Sequence, residues 1–183
     1  MEFQLLNGSG LHIFGFDSSN GGGRCCVQFY ENYIQSRCAT QALQISTRAY
    51  TAYDFTSRFR CYLSRNKRQV WKNDTLMSEN TSDGGSFTTM NGTVLAVFES
   101  APLYNSKAKM KLYSLLWKRN DIPLYDMIPV RVGTTGYLFD RVSGELFANA
   151  GSGDFILGPD IVGGGHKLLI INLMPFSVER RVA

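Results

Sequence analysis

Histidine, paired carboxylates and long apolar runs are scarce or missing in this chain, and each absence argues against a class of function. Only two histidines are present, and both lie among apolar residues, which leaves little for a Ser/His/Asp or Cys/His catalytic set. No stretch carries acidic residues at alternate strand positions, as the two carboxylates of sandwich-type glycosidases require. The longest apolar run, residues 168–174, is far shorter than the roughly 20 residues of a membrane-spanning helix. The sequence therefore predicts a protein that is not an enzyme and has no membrane span.

Positive charge is concentrated in one short region of a chain whose net charge is +4. The cluster consists of Arg58, Arg60, Arg65, Lys67, Arg68 and Lys72. It could bind a polyanion, or it could be the solvated face of a hairpin, since Arg58 and Arg60 alternate with Phe59 and Cys61. No recognition helix or nucleic-acid-binding motif accompanies it. We therefore favour the hairpin face and expect no nucleic acid partner.

Four cysteines lie in the first third of the chain, at positions 25, 26, 38 and 61. A structural metal needs paired ligands at CxxC or similar spacing, and this spacing is absent. A disulfide from Cys38 to Cys25 or Cys26 would suit a secreted protein. The residues MEFQLLNGSG show no export signal, however, so the sequence favours four free, buried cysteines.

The composition favours strands over helices. Aromatic residues make up 13% of the chain and there are 18 glycines but only 5 prolines, which suits pleated surfaces separated by turns. A length of 183 residues is enough for one domain with a sizeable core. In residues 128–160, short apolar segments alternate with turn sequences, as tightly connected strands require. The sequence therefore predicts an all-β, antiparallel β-sandwich.

Individual strands are predicted wherever apolar residues alternate between turn signals. Asn66-Lys67 and Asn73-Asp74 are predicted hairpin turns, and residues 78–86 are a predicted polar loop. Residues 109–117 carry apolar side chains at both parities, which indicates a central strand covered on both faces. The predicted strands are residues 11–16, 26–34, 43–46, 58–63, 70–71, 93–98, 109–117, 136–140, 145–148 and 155–157.

One family resemblance is carried by specific residues. The segments KLYSLLW and IPLYDMIPVRVGTTGYLFDRVSGELFANAGSGDFILGP, preceded by FTTMNGTVLAVF, resemble the C-terminal half of concanavalin A-like, laminin-G-type jelly-roll domains found in proteins of gut bacteria and their phages. Residues 3–15 and 59–74 are similar more loosely. The resemblance implies a jelly roll over residues 1–160. The family's usual first strand has no counterpart before residues 2–6, which predicts an N-terminal sheet edge that a partner could complete.

The remaining residues, 161–183, differ in character. Residues 163–165 are three glycines that form a predicted hinge, and residues 166–174 are a predicted apolar strand. This strand could pair with the chain's own sheet, or it could join a neighbouring subunit by strand addition. Pairing within the chain is favoured because consecutive elements usually lie adjacent in space.

Two functions remain. In the first, the chain is a non-catalytic, lectin-like glycan-binding or adhesion module, as the resemblance implies, with aromatic rings for sugar faces and Asn or Asp for hydroxyls. The candidate ligand-binding residues are Trp71, Asn73, Asp74, Tyr50, Tyr53, Asp17, Asn20 and Tyr104. In the second, it is a virion or surface-appendage subunit that assembles with copies or a protein partner through the N-terminal edge and residues 166–174. Either function implies a virion or cell surface. No metal or cofactor is predicted; a structural calcium held by turn oxygens is the alternative.

Overall fold

The computed structural model describes residues 1–6, 11–17, 23–30, 32–40, 46–50, 54–85, 93–94, 109–149, 154–158, 169–172 and 176–177. Within these ranges the secondary structure is all strand, and no helix is present that could cross a membrane. The strands are β1 (Glu2–Leu5), β2 (Leu11–Asp17), β3 (Gly23–Tyr30), β4 (Tyr33–Thr40), β5 (Ser46–Tyr50), β6 (Phe59–Leu63), β7 (Arg68–Lys72), β8 (Thr75–Asn80), β9 (Thr93–Val94), β10 (Lys109–Arg119), β11 (Ile122–Val132), β12 (Thr135–Asp140), β13 (Leu146–Phe147), β14 (Ile156–Leu157), β15 (Leu169–Asn172) and β16 (Phe176–Ser177).

The strands form two antiparallel sheets. The larger sheet has the order β13-β12-β11-β10-β1-β6-β7-β8, with β15 also paired to β10, and β14 to β15. The smaller sheet has the order β16-β9-β2-β3-β4-β5. In the sandwich, β5 lies over β7 and β8, and β4 lies over β6 and β7. The predicted all-β, antiparallel sandwich is confirmed.

Alternating side chains explain why these segments are strands. In β6, Phe59 and Cys61 are buried while Arg60 and Tyr62 are exposed, the period-2 pattern of a sheet with one wet face. Apolar side chains on the two inner faces form one core, with members from both sheets. The ring contact of Phe14 in β2 with Trp117 in β10 joins the two layers, and Phe29 of β3 packs against Phe55 in the segment before β6.

Two hairpins turn on Asn-Asp pairs. Asn73 and Asp74 have φ of 45° and 63°, and Asn120 and Asp121 have φ of 51° and 63°. Positive φ at both central residues defines the two-residue turn whose twist matches flanking strands, and Asn and Asp tolerate this conformation better than most residues. The predicted turn at Asn73-Asp74 is confirmed.

One strand prediction and one loop boundary are wrong. Residues 26–34 are not one strand: β3 ends at Tyr30 and β4 begins at Tyr33, so a tight hairpin interrupts the run. The predicted polar loop at residues 78–86 begins too early, because β8 continues to Asn80 and pairs with β7. Residues 41–45 and 95–98, which include most of two predicted strands, lie outside the described residues.

The predicted open edge at the N-terminal segment is wrong. β1 is an interior strand, paired with β10 on one side and with β6 on the other. Phe3 and Leu5 are fully buried in the core. Both sides of β1 are thus satisfied within the chain, and no position remains there for a partner's strand.

The C-terminal residues pair with the chain's own sheets, as the sequence favoured. β15 pairs with residues 109–112 of β10 and with β14 in the larger sheet. β16 pairs with β9 in the smaller sheet. Strand addition to a neighbour through residues 169–172 is therefore not available in this structure. Residues 159–168, with the predicted hinge and the boundary at residue 160, lie outside the described residues.

A disulfide joins Cys25 of β3 to Cys38 of β4. The two residues lie directly opposite each other in the ladder, whereas Cys26 lies opposite Arg37 on the other face. The prediction of four free cysteines is wrong for this pair, because the hairpin that brings them together was not recognised. Cys26 and Cys61 carry buried thiols, and burial raises the pKa of the Cys61 thiol to about 12.

One buried charge connects the layers. Arg68 of β7 is fully buried, and its guanidinium donates to the carbonyl oxygens of Ser64, Arg65 and Ser82, to Asn80 Oδ1 and, across the sandwich, to the carbonyl oxygen of Cys38 at 3.4 Å. Next to it, a Cβ on Gly84 would lie 2.2 Å from that Cys38 oxygen, so only glycine fits.

We expect the substitution Arg68→Met to lower the free energy of unfolding by at least about 3 kcal/mol, because it leaves several buried carbonyl groups without a donor. Urea denaturation followed by tryptophan fluorescence measures this. Lys67→Gln is the matched control, since it removes an exposed cation whose ion pair with Glu79 is 3.9 Å long. Equal stability of the two variants would contradict the role assigned to Arg68.

The turn after β12 is organised by a buried carboxylate. Asp140 accepts hydrogen bonds from the amides of Asp126 at 2.7 Å and Val142 at 3.2 Å, and from the hydroxyl of Ser143 at 2.9 Å. Burial alone would raise the pKa of Asp140, but these hydrogen bonds outweigh it and hold the pKa below its usual value.

Asp140→Asn should therefore cost about 1–3 kcal/mol of stability at neutral pH. Because the folded-state pKa is lowered, the contribution of Asp140 is complete above the unfolded-state value near pH 4 and is lost as pH falls through the folded-state pKa. Urea midpoints of the wild type and the variant, measured from pH 7 down to pH 2.5, should converge at the acidic end. A difference that stays constant over this range would rule out the ionised carboxylate as its source.

Candidate functional site

The predicted ligand-binding residues fall in different parts of the sandwich. Trp71, Asn73 and Asp74 lie at the β7–β8 hairpin of the larger sheet, and Tyr50 ends β5 in the smaller sheet. Asp17 ends β2, and its side chain is outside the described part of the structure. The other three candidates, Asn20, Tyr53 and Tyr104, lie outside the described residues.

Asn73 has a structural task in the turn. Its Oδ1 accepts a hydrogen bond from the amide of Arg58 at 2.9 Å, and its Nδ2 donates to Ser57 Oγ at 3.1 Å. Its own amide donates to the carbonyl oxygen of Arg58 at 2.8 Å. The Asn73 side chain thus connects the β7–β8 turn to the segment that precedes β6, and both its Oδ1 and its Nδ2 are hydrogen-bonded.

Trp71 is partly covered. The guanidinium of Arg60 lies over its ring, 4.7 Å from the centroid, and the same guanidinium is 3.6 Å from the carboxylate of Asp74. The indole Nε1 donates to Gln69 Oε1 at 3.3 Å. An Arg stacked on the ring competes with a sugar for the same face, so Trp71 is less accessible than its sequence position indicates.

The basic cluster is largely neutralised. Arg58 pairs with Glu2, Arg60 with Asp74, Arg65 with Asp83, Lys67 with Glu79 and Lys72 with Asp54, while Arg68 is buried. Each exposed cation therefore has a carboxylate partner, as expected for a solvated sheet face rather than for a polyanion site. The absence of a nucleic acid partner stays a prediction.

A different set of side chains is collected on the outer face of the smaller sheet. Val27, Phe29, Ile34 and Ala49 of β3, β4 and β5 point into the core, so the alternate positions point outward. Strand register arranges the outward residues in rows across the sheet. The tyrosine row is Tyr30, Tyr33 and Tyr50, and the adjacent polar row is Gln28, Gln35 and Arg48.

The tyrosine row is a continuous aromatic surface. The rings of Tyr30 and Tyr33 are stacked with centroids 4.6 Å apart, and Tyr50 is tilted against Tyr33 at 6.0 Å. Arg48 lies over the ring of Tyr33, 4.9 Å from its centroid. Tyr50 is 69% exposed although it is a large aromatic residue. Exposure also increases along the polar row from β3 to β5, since Gln28 and Gln35 are buried whereas Arg48 is exposed. The accessible part of both rows is therefore at β5.

This surface adjoins the end of the sandwich that carries the β7–β8 turn. Phe55 packs its ring against Phe29, one residue before Tyr30. Beside it, Lys72 Nζ is 2.5 Å from the carboxylate of Asp54. Partial burial would raise the pKa of Asp54, but Lys72 and hydrogen bonds from Ser57 and Thr56 outweigh it and hold that pKa well below its usual range. The loop that packs against the core side of β3 is thus fixed by an ion pair.

The described residues contain no group of three or more His, Cys, Asp or Glu side chains placed to hold a metal ion. The calcium alternative therefore has no candidate ligand set in this part of the chain, and it stays a prediction. The side chains of the two rows are phenol, amide and guanidinium groups, and of these only the amide oxygens of Gln28 and Gln35, which are buried, are usual ligands of a hard cation.

Sequence reasoning missed most of this surface. Of its residues only Tyr50 was a candidate, because residues 26–34 were predicted to be one strand and the hairpin was hidden. The available signal was the alternation of Tyr33, Gln35 and Arg37 with buried residues, repeated by Arg48 and Tyr50.

Comparison with known proteins yields no match of this chain to a protein-family model, to a curated protein or to a solved structure. The similarity to laminin-G-type domains therefore rests on the quoted residues alone. The two rows on the smaller sheet are the functional evidence that the structure adds.

Proposed function

We propose that this protein is a non-catalytic, lectin-like carbohydrate-binding module whose site is the outer face of the smaller sheet at β5. The observation that carries the proposal is the tyrosine row beside a polar row of amide and guanidinium groups. The tyrosine row replaces Trp71 as the centre of the candidate site, because the guanidinium of Arg60 covers the ring of Trp71.

The chemistry of the two rows suits a saccharide. A sugar ring has an apolar face of C–H groups that packs on an exposed aromatic ring, and Tyr50 offers such a ring. The hydroxyl groups of the sugar need directional polar partners, which the guanidinium of Arg48 and the tyrosine hydroxyls can supply. An exposed aromatic surface flanked by a few convergent polar groups is the usual composition of such a site.

The proposal extends to family and location. The quoted C-terminal segments support a concanavalin A-like, laminin-G-type domain, and the sandwich is compatible with that assignment. The disulfide between Cys25 and Cys38 is typical of proteins that work outside a reducing cytosol, which supports a virion or cell surface location.

Tyr50→Ala should reduce glycan binding by at least about tenfold, since truncating an aromatic anchor in a binding site typically costs 1–2 kcal/mol or more. A glycan array identifies bound saccharides, and calorimetry then measures the affinity of each variant for the best of them. Tyr62→Ala is the matched control, because Tyr62 is an exposed tyrosine on the larger sheet, 48% accessible.

Trp71→Ala tests the alternative position of the site in the same experiment. A loss of binding in this variant, with Tyr50→Ala unaffected, would move the site to the β7–β8 hairpin. Absence of binding to every saccharide on the array would contradict the carbohydrate-binding function itself.

A second candidate function is assembly, and one surface favours it. Leu115, Met127 and Leu138 of β10, β11 and β12 face the core, so the alternate positions face outward. Most of these are apolar too, and Leu116, Val132 and Leu146 are about half exposed, at 46%, 54% and 47%. The outward apolar residues are Leu116, Leu124, Ile128, Val130, Val132, Tyr137, Phe139 and Leu146. A sheet apolar on both faces is typical of one covered by another layer.

If this surface mediates assembly, the wild type should be a discrete oligomer and the double substitution Leu116→Lys with Leu146→Lys should be monomeric with an unchanged melting temperature. Light scattering coupled to size exclusion measures the mass. Leu76→Lys places the same charge on β8, where Leu76 is 42% exposed, and should leave the oligomer intact. A wild-type monomer at every accessible concentration would exclude this function.

A further inference from the structure

We infer that the carbohydrate recognised at the smaller sheet is acidic, with a carboxylate or sulfate group bound by Arg37 and Arg48. This inference rests on the proposed function and specifies its ligand class. It follows from two neighbouring arginines on the outer face of β4 and β5, for which no carboxylate partner is found among the described residues.

Arg37 and Arg48 lie on one face and close together. Arg48 of β5 is opposite Gln35 of β4. Arg37, two residues after Gln35, is opposite Ser46, two residues before Arg48. The two arginines are therefore diagonal neighbours on adjacent antiparallel strands, which places their Cβ atoms roughly 7 Å apart. Both guanidinium groups can reach one anionic group from this distance.

Neither arginine has a carboxylate partner in the part of the chain that the structure describes. The exposed cations of the basic cluster, Arg58, Arg60, Arg65, Lys67 and Lys72, each have a carboxylate partner, whereas no ion pair within the described residues involves Arg37 or Arg48. Arg37 also has its Nε shielded from solvent, without a hydrogen-bond partner in the described structure. An N–H group of a cation that is shielded and unpaired is costly, so the guanidinium of Arg37 is incompletely satisfied within the described residues, as is that of Arg68.

The aromatic residues hold one guanidinium in place. Arg48 is stacked on Tyr33, and this contact restrains its planar guanidinium group. A restrained guanidinium loses less conformational entropy when it binds a carboxylate or sulfate through two parallel hydrogen bonds. Arg48 and Tyr50 are alternate residues of β5, so they project from the same face about 6.6 Å apart along the strand. That separation suits a sugar ring stacked on Tyr50 with its acidic substituent directed to Arg48.

The test uses a glycan array that presents neutral oligosaccharides beside counterparts of the same backbone carrying uronate, sialate or sulfate groups. The wild type should bind the acidic member of each recognised pair at least about tenfold more tightly, the effect of one charge-assisted bidentate contact. Arg48→Gln should abolish this preference, because it should weaken binding to the acidic member at least about tenfold more than binding to the neutral member. Added salt should weaken the acidic member more than the neutral one.

Arg119→Gln is the charge-matched control, since Arg119 is an exposed arginine at the far end of β10. Its substitution should leave the acidic preference unchanged, and an equal loss would show a general charge effect and overturn the inference. Arg37→Gln should reduce the preference for the acidic member as Arg48→Gln does, and its melting temperature shows whether the variant is folded. Binding without preference for acidic members would overturn the inference and leave the carbohydrate-binding function standing. No binding to any member would overturn both.

Discussion

The guanidinium of Arg68 is the constraint on which the described architecture depends. A fully buried arginine is costly unless its donors are used, and Nη1 and Nη2 of Arg68 donate to groups from three separate segments: the β6–β7 turn, the end of β8 with the chain after it, and the carbonyl oxygen of Cys38 in the other sheet. Its Nε has no acceptor within the described residues. Arg68 therefore specifies which loop lies beneath which strand. Asp83 reinforces this arrangement by binding Arg65 at 2.6 Å, which lowers the pKa of Asp83 to about 2.

The same contact helps to position the proposed site. Cys38 receives the Arg68 hydrogen bond through its carbonyl oxygen and is joined to Cys25 through its side chain, so β4 is held to the larger sheet and to β3. A second polar link, from Ser36 Oγ to the carbonyl oxygen of Tyr62 at 3.0 Å, anchors β4 further along. The inner face of β4 is thus fixed by polar contacts at defined residues. Its outer face consequently presents Tyr33, Gln35 and Arg37 in a defined register.

The features of the fold that could be predicted from the sequence are those that depend on neighbouring residues. Strand identity follows from alternation, and turn identity follows from the Asn-Asp pair at residues 73 and 74, so the fold class and the β6–β8 meander were predictable. Sheet order is not local: β1 lies between β10 and β6, more than 50 residues away, and nothing in residues 2–5 indicates this. The candidate site was missed for the same reason, because rows such as Tyr30, Tyr33 and Tyr50 exist only once the strand register is known.

The two proposed functions use opposite faces of one sandwich. The tyrosine and polar rows lie on the outer face of the smaller sheet, and the apolar surface around Leu116 and Leu146 lies on the outer face of the larger sheet. Association through the larger sheet would therefore leave both saccharide sites exposed and directed away from the contact. Sites on opposite sides of an assembly would connect two saccharide-bearing surfaces, but they would not raise the affinity for a single surface, because avidity requires that both sites engage it at once. On this argument, assembly and recognition do not compete in the same molecule, and together they would make it a cross-linker.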